Sequence, residues 1–320
     1  MAEVESRIEK RAAGATKLTE VDITEKTLPF TMWMKKQGYR ESTITTRTRI
    51  IKSLLRKGAN LYDPESVKEV VAEQKTWNEN TKFNVVNTYS CFLLMCGGTW
   101  TPPRYKETRH LPFIPTELEI DQLIAGCGKK TAAFLQLLKE TAIRAGEAQN
   151  LEWRDIDTVR YTINVKPEKN SAPRIFNVTT KLIGMLMALP RTDEKVFGNS
   201  TVRSRRATFC YTRKRVAEKL QNPRILQIHF HTFRHWKATT LYHKTKDLVY
   251  VKNFLGHKNV NNTMLYIQLA TTIFKDVSDK YMSRVAVNAK GARALIEIGF
   301  EKVDEFDGKH IYRKRIDPTP

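Results

Sequence analysis

Between positions 97 and 103 the chain reads Gly97-Gly98-Thr-Trp-Thr-Pro102-Pro103, and no regular element can run through that stretch. Glycine adds backbone freedom and each proline removes an amide donor. From there to Pro115 the sequence is rich in proline and basic residues, the composition of an exposed linker. The break divides the chain into two folding units. Its 320 residues and 41% hydrophobic content are enough to give each unit a core.

Before the break the apolar pattern is helical. Residues 1–20 are polar and form a loose leader. The stretch 27–37 carries Leu28, Phe30, Met32, Trp33 and Met34, and Ser42 or Thr43 is placed to cap a second helix with Ile44, Ile50, Ile51, Leu54 and Leu55. Asp63-Pro64-Glu65 is a helix start, with an N-cap, a first-position proline and an acid in the first turn. A fourth helix is expected from Glu79 to Met95. After the linker, Thr116-x-x-Glu119 is a capping box. Helices are expected near 117–126, 131–142 and 145–151, then β-like runs at 151–156, 161–165 and 174–178, the last two joined by a turn. Helical pattern returns near 180–189, 201–220, 231–243, 247–255, 260–268 and 271–284. The tail reads as an amphipathic helix at 287–300 and a hairpin at 301–315 around Asp307-Gly308. The expected division is leader 1–20, helical domain 21–100, linker 101–115, second domain 116–284 and tail 285–320. The expected class is mainly α with a small β-sheet.

Fifty-five Lys and Arg stand against 34 Asp and Glu, a formal net charge of +21. Such an excess suits a polyanionic partner. No stretch approaches the roughly 18–20 apolar residues of a membrane span, and Met1-Ala-Glu-Val lacks the apolar core of a signal peptide. A cytoplasmic protein is expected. Cys91, Cys96, Cys127 and Cys210 form no Cys-x₂-Cys pair; Cys91 and Cys96 sit in an apolar run and read as core.

Chemistry is concentrated in His231-Thr-Phe-Arg234, Leu255-Gly256-His257 and Tyr266, at the spacing His-x₂-Arg-x₂₂-His-x₈-Tyr. Cleaving a phosphodiester without a metal requires a nucleophile, cations for the charge on the non-bridging oxygens, and an acid for the leaving alkoxide. A tyrosine phenol, with a pKa of about 10, attacks poorly while protonated. Guanidinium groups favour its ionised form and orient the phosphate through paired hydrogen bonds. Taken singly, each residue has a structural explanation: a surface arginine, a core histidine, or a packing tyrosine such as Tyr242, Tyr250 or Tyr281.

Together these boxes resemble the signature of the tyrosine recombinases, or integrases, most of all Xer-type enzymes and mobile-element integrases. Thr141-Ala-Ile-Arg144-Ala-Gly-Glu147 is similar to that family's first arginine box, and the turn carrying Lys169 to its catalytic-lysine hairpin. The resemblance spans about 25–283 and is strongest over 140–270. It implies a helical core-binding domain and a mixed α+β catalytic domain forming a C-shaped clamp on double-stranded DNA. It further implies a protein tetramer, strand exchange through a Holliday junction, and neither metal nor other cofactor. Carried over, Arg144 and Arg234 clamp the scissile phosphate, and His231 and His257 hydrogen-bond to it. Lys169, or its neighbour Lys166, protonates the leaving 5′ oxygen, Tyr266 forms the 3′-phosphotyrosine link, and Glu147 supports the site from behind. Ala142 stands where a glycine is usual, and His235-Trp236-Lys237 puts bulk after Arg234.

Two basic rows are candidate DNA faces: Arg203, Arg205, Arg206, Arg213, Lys214 and Arg215 in the second domain, and Arg40, Arg47, Arg49, Lys52, Arg56 and Lys57 in the first. The helix expected at 271–284, with Ile273, Phe274, Val277 and Met282, is a candidate for docking on a neighbouring protomer. Tyr312-Arg-Lys-Arg315 suggests a further DNA contact instead. Three other functions remain open: a type IB topoisomerase that relaxes DNA, a non-catalytic DNA-binding protein of the same fold, and a basic RNA-binding protein, for which the sequence shows no aromatic-basic RNA motif.

Overall fold

A computed structural model describes residues 19–108, 110–168, 171–274, 281–306 and 308–315. The chain divides into two compact units, 1–110 and 111–320.

The first unit is four helices: α1 (Glu20–Lys36), α2 (Glu41–Arg56), α3 (Pro64–Glu73) and α4 (Glu79–Cys96). Thr19 and Asp22 cap α1 reciprocally, so the helix begins inside what reads as leader. Asp63 caps α3 through the Glu65 amide, as the Asp-Pro-Glu signal predicts. Arg40, not Ser42 or Thr43, occupies the cap of α2 and makes no capping bond through its side chain. Gly97 ends α4 in the left-handed region at φ +70°, which favours glycine. Phe30, Met34, Ile51, Leu54, Val67, Tyr89 and Phe92 form the core. Cys91 lies in it, whereas Cys96, at the last turn of α4, is exposed, against the sequence expectation.

The second unit begins with α5 (Glu117–Ala125), α6 (Lys129–Thr141) and the short α7 (Ala145–Gln149). Thr116 and Glu119 form the expected capping box on α5. A 3₁₀ turn, Trp153–Asp155, takes up most of the first β-like run, leaving only Ile156–Asp157 as β1. With β2 (Thr162–Val165) and β3 (Arg174–Asn177) it makes an antiparallel sheet in the order β1-β2-β3. Then come α8 (Thr180–Met187), α9 (Val202–Lys219), a 3₁₀ turn (Pro223–Gln227), α10 (Phe230–Thr245), α11 (Leu248–Leu255) and α12 (Asn261–Ile273). Helix α10 packs against both α6 and α12. Its first residue, Phe230, meets Phe134 at 5.3 Å and Phe209 at 4.8 Å between ring centroids, which anchors the end carrying His231 and Arg234. Trp236 is 7% exposed in the same core.

The helix expected at 271–284 does not form as such. Helix α12 stops at Ile273, Val277 lies outside the described residues, and Tyr281–Ala286 is a strand, β4. Long-range pairing decides this: β4 runs antiparallel to β6 (Lys309–Arg315), which also pairs with β5 (Glu301–Phe306), giving the order β4-β6-β5. The expected tail helix is present as α13 (Ala289–Glu297) and the expected hairpin as β5–β6. Ala286, Phe300 and Tyr312 form a small separate core. A cut after residue 284 would therefore pass through β4 rather than between domains. Among the described residues, no helix is long and apolar enough to cross a membrane.

Candidate active site

Three chain segments supply the backbone that shapes the site. The first is the turn between α6 and α7. Ala142 ends α6 in the left-handed region at φ +52° and is fully buried. A β-carbon costs about 1 kcal/mol there, which accounts for glycine being usual at this place. The Ala142 methyl offsets part of that cost by packing with Leu255, Tyr266 and Leu269. Two residues on, Arg144 caps α7, and its backbone N–H donates to Glu147 Oε2 at 2.8 Å. One tight turn thus presents both the Ala142 carbonyl and the Arg144 side chain.

The second is the β2–β3 hairpin. Glu168 N–H donates to Glu147 Oε1 at 3.3 Å, and Arg144 Nη1 hydrogen-bonds to Ser171 Oγ. Arg144 Nη1 also lies 3.4 Å from Glu147 Oε1. Lys169 lies outside the described residues. The alternative, Lys166, is tied up by Glu152 at 2.9 Å and Asp155 at 3.6 Å.

The third is the end of α11. Gly256 follows the helix at φ +67° and brings Leu255 C=O to bear on two arginines. Arg234 Nη2 donates to that carbonyl at 2.7 Å and Arg174 Nη1 at 2.8 Å. A helix C-terminus carries partial negative charge, so it suits paired cations. A β-carbon on Gly256 would lie 2.9 Å from Arg174 Nε, so the guanidinium packs where only hydrogen fits. Arg234 Nη1 donates in turn to Ala142 C=O at 2.7 Å. Two carbonyls from distant segments fix the plane of a guanidinium that is 1% exposed.

In sequence Arg174 reads only as the start of a strand. The structure makes it the link between boxes: its Nη2 lies 2.6 Å from Glu147, a pair almost wholly out of water. The signal lies in the phase of β3, where Arg174 and Phe176 point inward and Ile175 is 70% exposed. An arginine on the buried phase of a strand needs partners.

Tyr266, on α12, is 2% exposed. Burial pushes its phenol up to about 12, against the opposing pull of Arg234 and Arg144. Its hydroxyl lies 3.2 Å from His235 Nδ1. His257 Nδ1 lies 2.9 Å from the hydroxyl of fully buried Thr263. Burial, then Arg234, Arg144, His231 and Arg174, hold His257 down to about 3. Burial, then His231 and Arg234, do the same to His235. Burial would raise the Glu147 carboxyl, but the Arg144 amide, the Arg174 guanidinium and the Glu168 amide outweigh it and keep it below the ordinary value. Burial, then Arg144, lowers Arg234 to about 10. His231 lies exposed at the start of α10, its ring edge-on to His235 at 4.6 Å. The fold thus gathers Arg144, Glu147, His231, Arg234, His257 and Tyr266, and adds Arg174 and His235.

The basic rows divide. On α9, Arg203, Arg206, Lys214 and Arg215 are exposed. Arg205 is not part of that face: it is buried, bonded to Gln149 Oε1 at 2.6 Å and Phe197 C=O at 2.9 Å, and stacked over Phe134. Arg213 also turns inward, donating to Ile228 C=O at 2.6 Å and meeting His229 Nδ1 at 2.8 Å. Both change from DNA-face candidates to packing residues, because α9 lays one side on the core. On α2, Arg40 and Arg49 are exposed, Lys52 donates to Thr24 Oγ1 at 3.1 Å, and Arg47 bonds Cys91 Sγ while lying over Tyr39.

The family model described as the phage integrase family matches residues 115–272. The chain is similar to the ICEBs1 integrase of Bacillus subtilis (strain 168), 26% identical over 208 residues, 57% of this chain and 53% of that protein. It is also similar to tyrosine recombinase XerA of Thermococcus kodakarensis, 24% identical over 266 residues, 78% of this chain and 93% of that protein. It thus spans about half of the first relative and nearly all of the second. In fold it is similar to a lambda integrase solved as a tetramer bound to a Holliday junction, with a TM-score of 0.59 and 14% identity, covering 81% of this chain and 80% of that one. Over residues 115–272 the chain thus resembles the phage integrase family, the tyrosine recombinases.

Proposed function

We propose that this chain is a site-specific recombinase that cleaves and rejoins double-stranded DNA through a 3′-phosphotyrosine intermediate. One observation carries the proposal. Arg144 and Arg234 act on the Tyr266 phenol, and together with Arg174 they gather around one buried carboxylate, Glu147. An excess of fixed positive charge out of water is costly until an anion enters. A phosphodiester supplies that anion and has oxygens to match paired guanidinium donors.

In this reading Arg144 and Arg234 hold the non-bridging oxygens. Arg234 needs no reorganisation, because two backbone carbonyls already fix it. With the Thr263 hydroxyl donating to Nδ1, neutral His257 carries its proton on Nε2 and donates from there. The Tyr266 oxygen attacks phosphorus, the bond to the 5′ oxygen breaks, and the phenol proton leaves with help from His231. Lys169, assigned by resemblance, protonates the departing 5′ oxygen. Attack by that hydroxyl on the phosphotyrosine reverses the step, so rejoining needs no ATP. Residues 21–100 are assigned to core binding, and the second unit from Thr116 to the end of α12 at Ile273 to catalysis. A tetramer on two DNA sites and a cytoplasmic location complete the proposal; the tetrameric lambda integrase on a junction supports the assembly.

The test uses a duplex nicked near the cleavage position, its sequence recovered by selecting wild-type binders from a randomised DNA pool. Wild type is expected to give a denaturation-resistant adduct without added metal, mapping to Tyr266, and Tyr266→Phe to give none. An adduct from Tyr266→Phe, or one mapping to Tyr250 or Tyr281, overturns the assignment.

A further inference from the structure

His235 follows Arg234 on α10 and has no part in the chemistry above, yet its Nδ1 lies 3.2 Å from the Tyr266 hydroxyl. We propose that His235 is a positioning residue for the nucleophile: its imidazole accepts a hydrogen bond from the Tyr266 phenol and sets the direction in which the oxygen faces phosphorus. The proposal rests on Tyr266 being the nucleophile.

The imidazole has two ring neighbours. One turn back on α10, the His231 ring meets it edge-on at 4.6 Å and 88°. The Tyr266 ring lies 5.9 Å away, tilted by 50°. A ring lone pair points in the ring plane, so a partly buried ring against these neighbours offers an acceptor along that plane, toward the phenol 3.2 Å away. Tyr266 is 2% exposed and has little water to bond with, so the orientation of its hydroxyl follows the protein acceptor. Accepting requires an uncharged ring, and burial beside His231 and Arg234 keeps it so, down to about 3. The same weakness disfavours His235 as the general base, since burial lowers the imidazole and raises the phenol. Orientation is what remains, and orientation alone carries large rate effects when reacting atoms must align.

The test measures single-turnover adduct formation on the selected nicked duplex, with DNA retention and thermal unfolding measured in parallel. His235→Phe keeps a ring without an acceptor, His235→Ala removes both, and His235→Asn places Oδ1 near the Nδ1 position. Loss of one buried neutral hydrogen bond predicts rates lowered about tenfold in Phe and Ala, with Asn restored to within about threefold of wild type. DNA retention is expected to be unchanged in all three. Phe and Ala differ in size, so one folded acceptor-free variant suffices. An acceptor-free variant as fast as wild type, or Asn as slow as Ala, overturns the positioning role. Adduct formation by Tyr266→Phe is a separate failure, which removes the nucleophile assignment and the role of His235 with it.

Discussion

Arg234 and Arg203 are the same side chain in opposite situations. Arg234 is buried, and its guanidinium is fixed by the carbonyls of Ala142 and Leu255. Arg174, beside it, spans Glu147 and the same Leu255 carbonyl. Arg203, Arg206 and Lys214 project from α9 into solvent, where Lys214 comes no nearer to Glu218 than 3.9 Å. The first group has lost its hydration and its freedom; the second keeps both. Positive charge therefore does two jobs here. Under the proposed function, buried charge waits in fixed geometry for one phosphate, while exposed charge attracts a polyanion without choosing which phosphate.

The largest separation between the two groups is expected in stability. Arg174→Ala would leave the buried Glu147 carboxylate with only the longer Arg144 contact at 3.4 Å as an ion pair, at a cost of about 3 kcal/mol in urea unfolding. Arg203→Ala is expected to stay within about 0.5 kcal/mol of wild type. Equal, small effects would break the contrast.

Acid sharpens it next. Folded, His235 and His257 hold no proton until about pH 3, whereas unfolded histidines take one near 6.5. The unfolded chain binds more protons between those values. Stability therefore rises with pH across that window and is lost as pH falls from about 6.5 toward 3, by up to about 1.4 kcal/mol per pH unit for each ring. Glu147, held below its ordinary value, adds to the loss at the acid end of the window. Urea unfolding between pH 7 and 4 is expected to show a shallower fall for His257→Asn than for wild type; an unchanged slope would count against the buried neutral ring.

Gly256→Ala is a smaller perturbation of the same cluster. It puts a side chain into the left-handed region and a β-carbon 2.9 Å from Arg174 Nε. A loss of about 1–2 kcal/mol is expected, with adduct formation slowed as Arg174 and the Leu255 carbonyl shift. Smallest per residue is the exposed row. Replacing Arg203, Arg206 and Lys214 by alanine is expected to weaken DNA binding evenly across sequences. The slope of log affinity against log salt should fall by about 0.9 for each phosphate that is no longer neutralised. Arg205→Ala is expected to lower stability instead, since its partners are Gln149, Phe197 and Phe134.

The boxes assigned to the candidate site are legible in the sequence because their chemistry is local. His231 and Arg234 lie one turn apart on a helix, and Leu255-Gly256-His257 is a helix end with its residue type imposed by φ. Caps at Asp63 and Thr116 are legible for the same reason. The misreadings share a cause as well. Helical pattern through 271–284 gives way to β4, because pairing with β6, some thirty residues further on, outweighs local propensity. Arg205 and Arg213 fall in with the DNA face on charge alone, because charge does not report which side of α9 meets the core.

By itself the sequence determined where the chain divides, its helical character, and the residue types able to handle a phosphodiester, since periodicity, caps and spacing are properties of neighbouring residues. Only the tertiary structure decided which cations are buried in the candidate site and which lie at the surface. It brought the Ala142 and Leu255 carbonyls to Arg234, Glu147 to Arg174 and His235 to Tyr266. Those bonds join segments up to ninety-two residues apart, and a lost hydration shell must be replaced by whatever partners folding supplies.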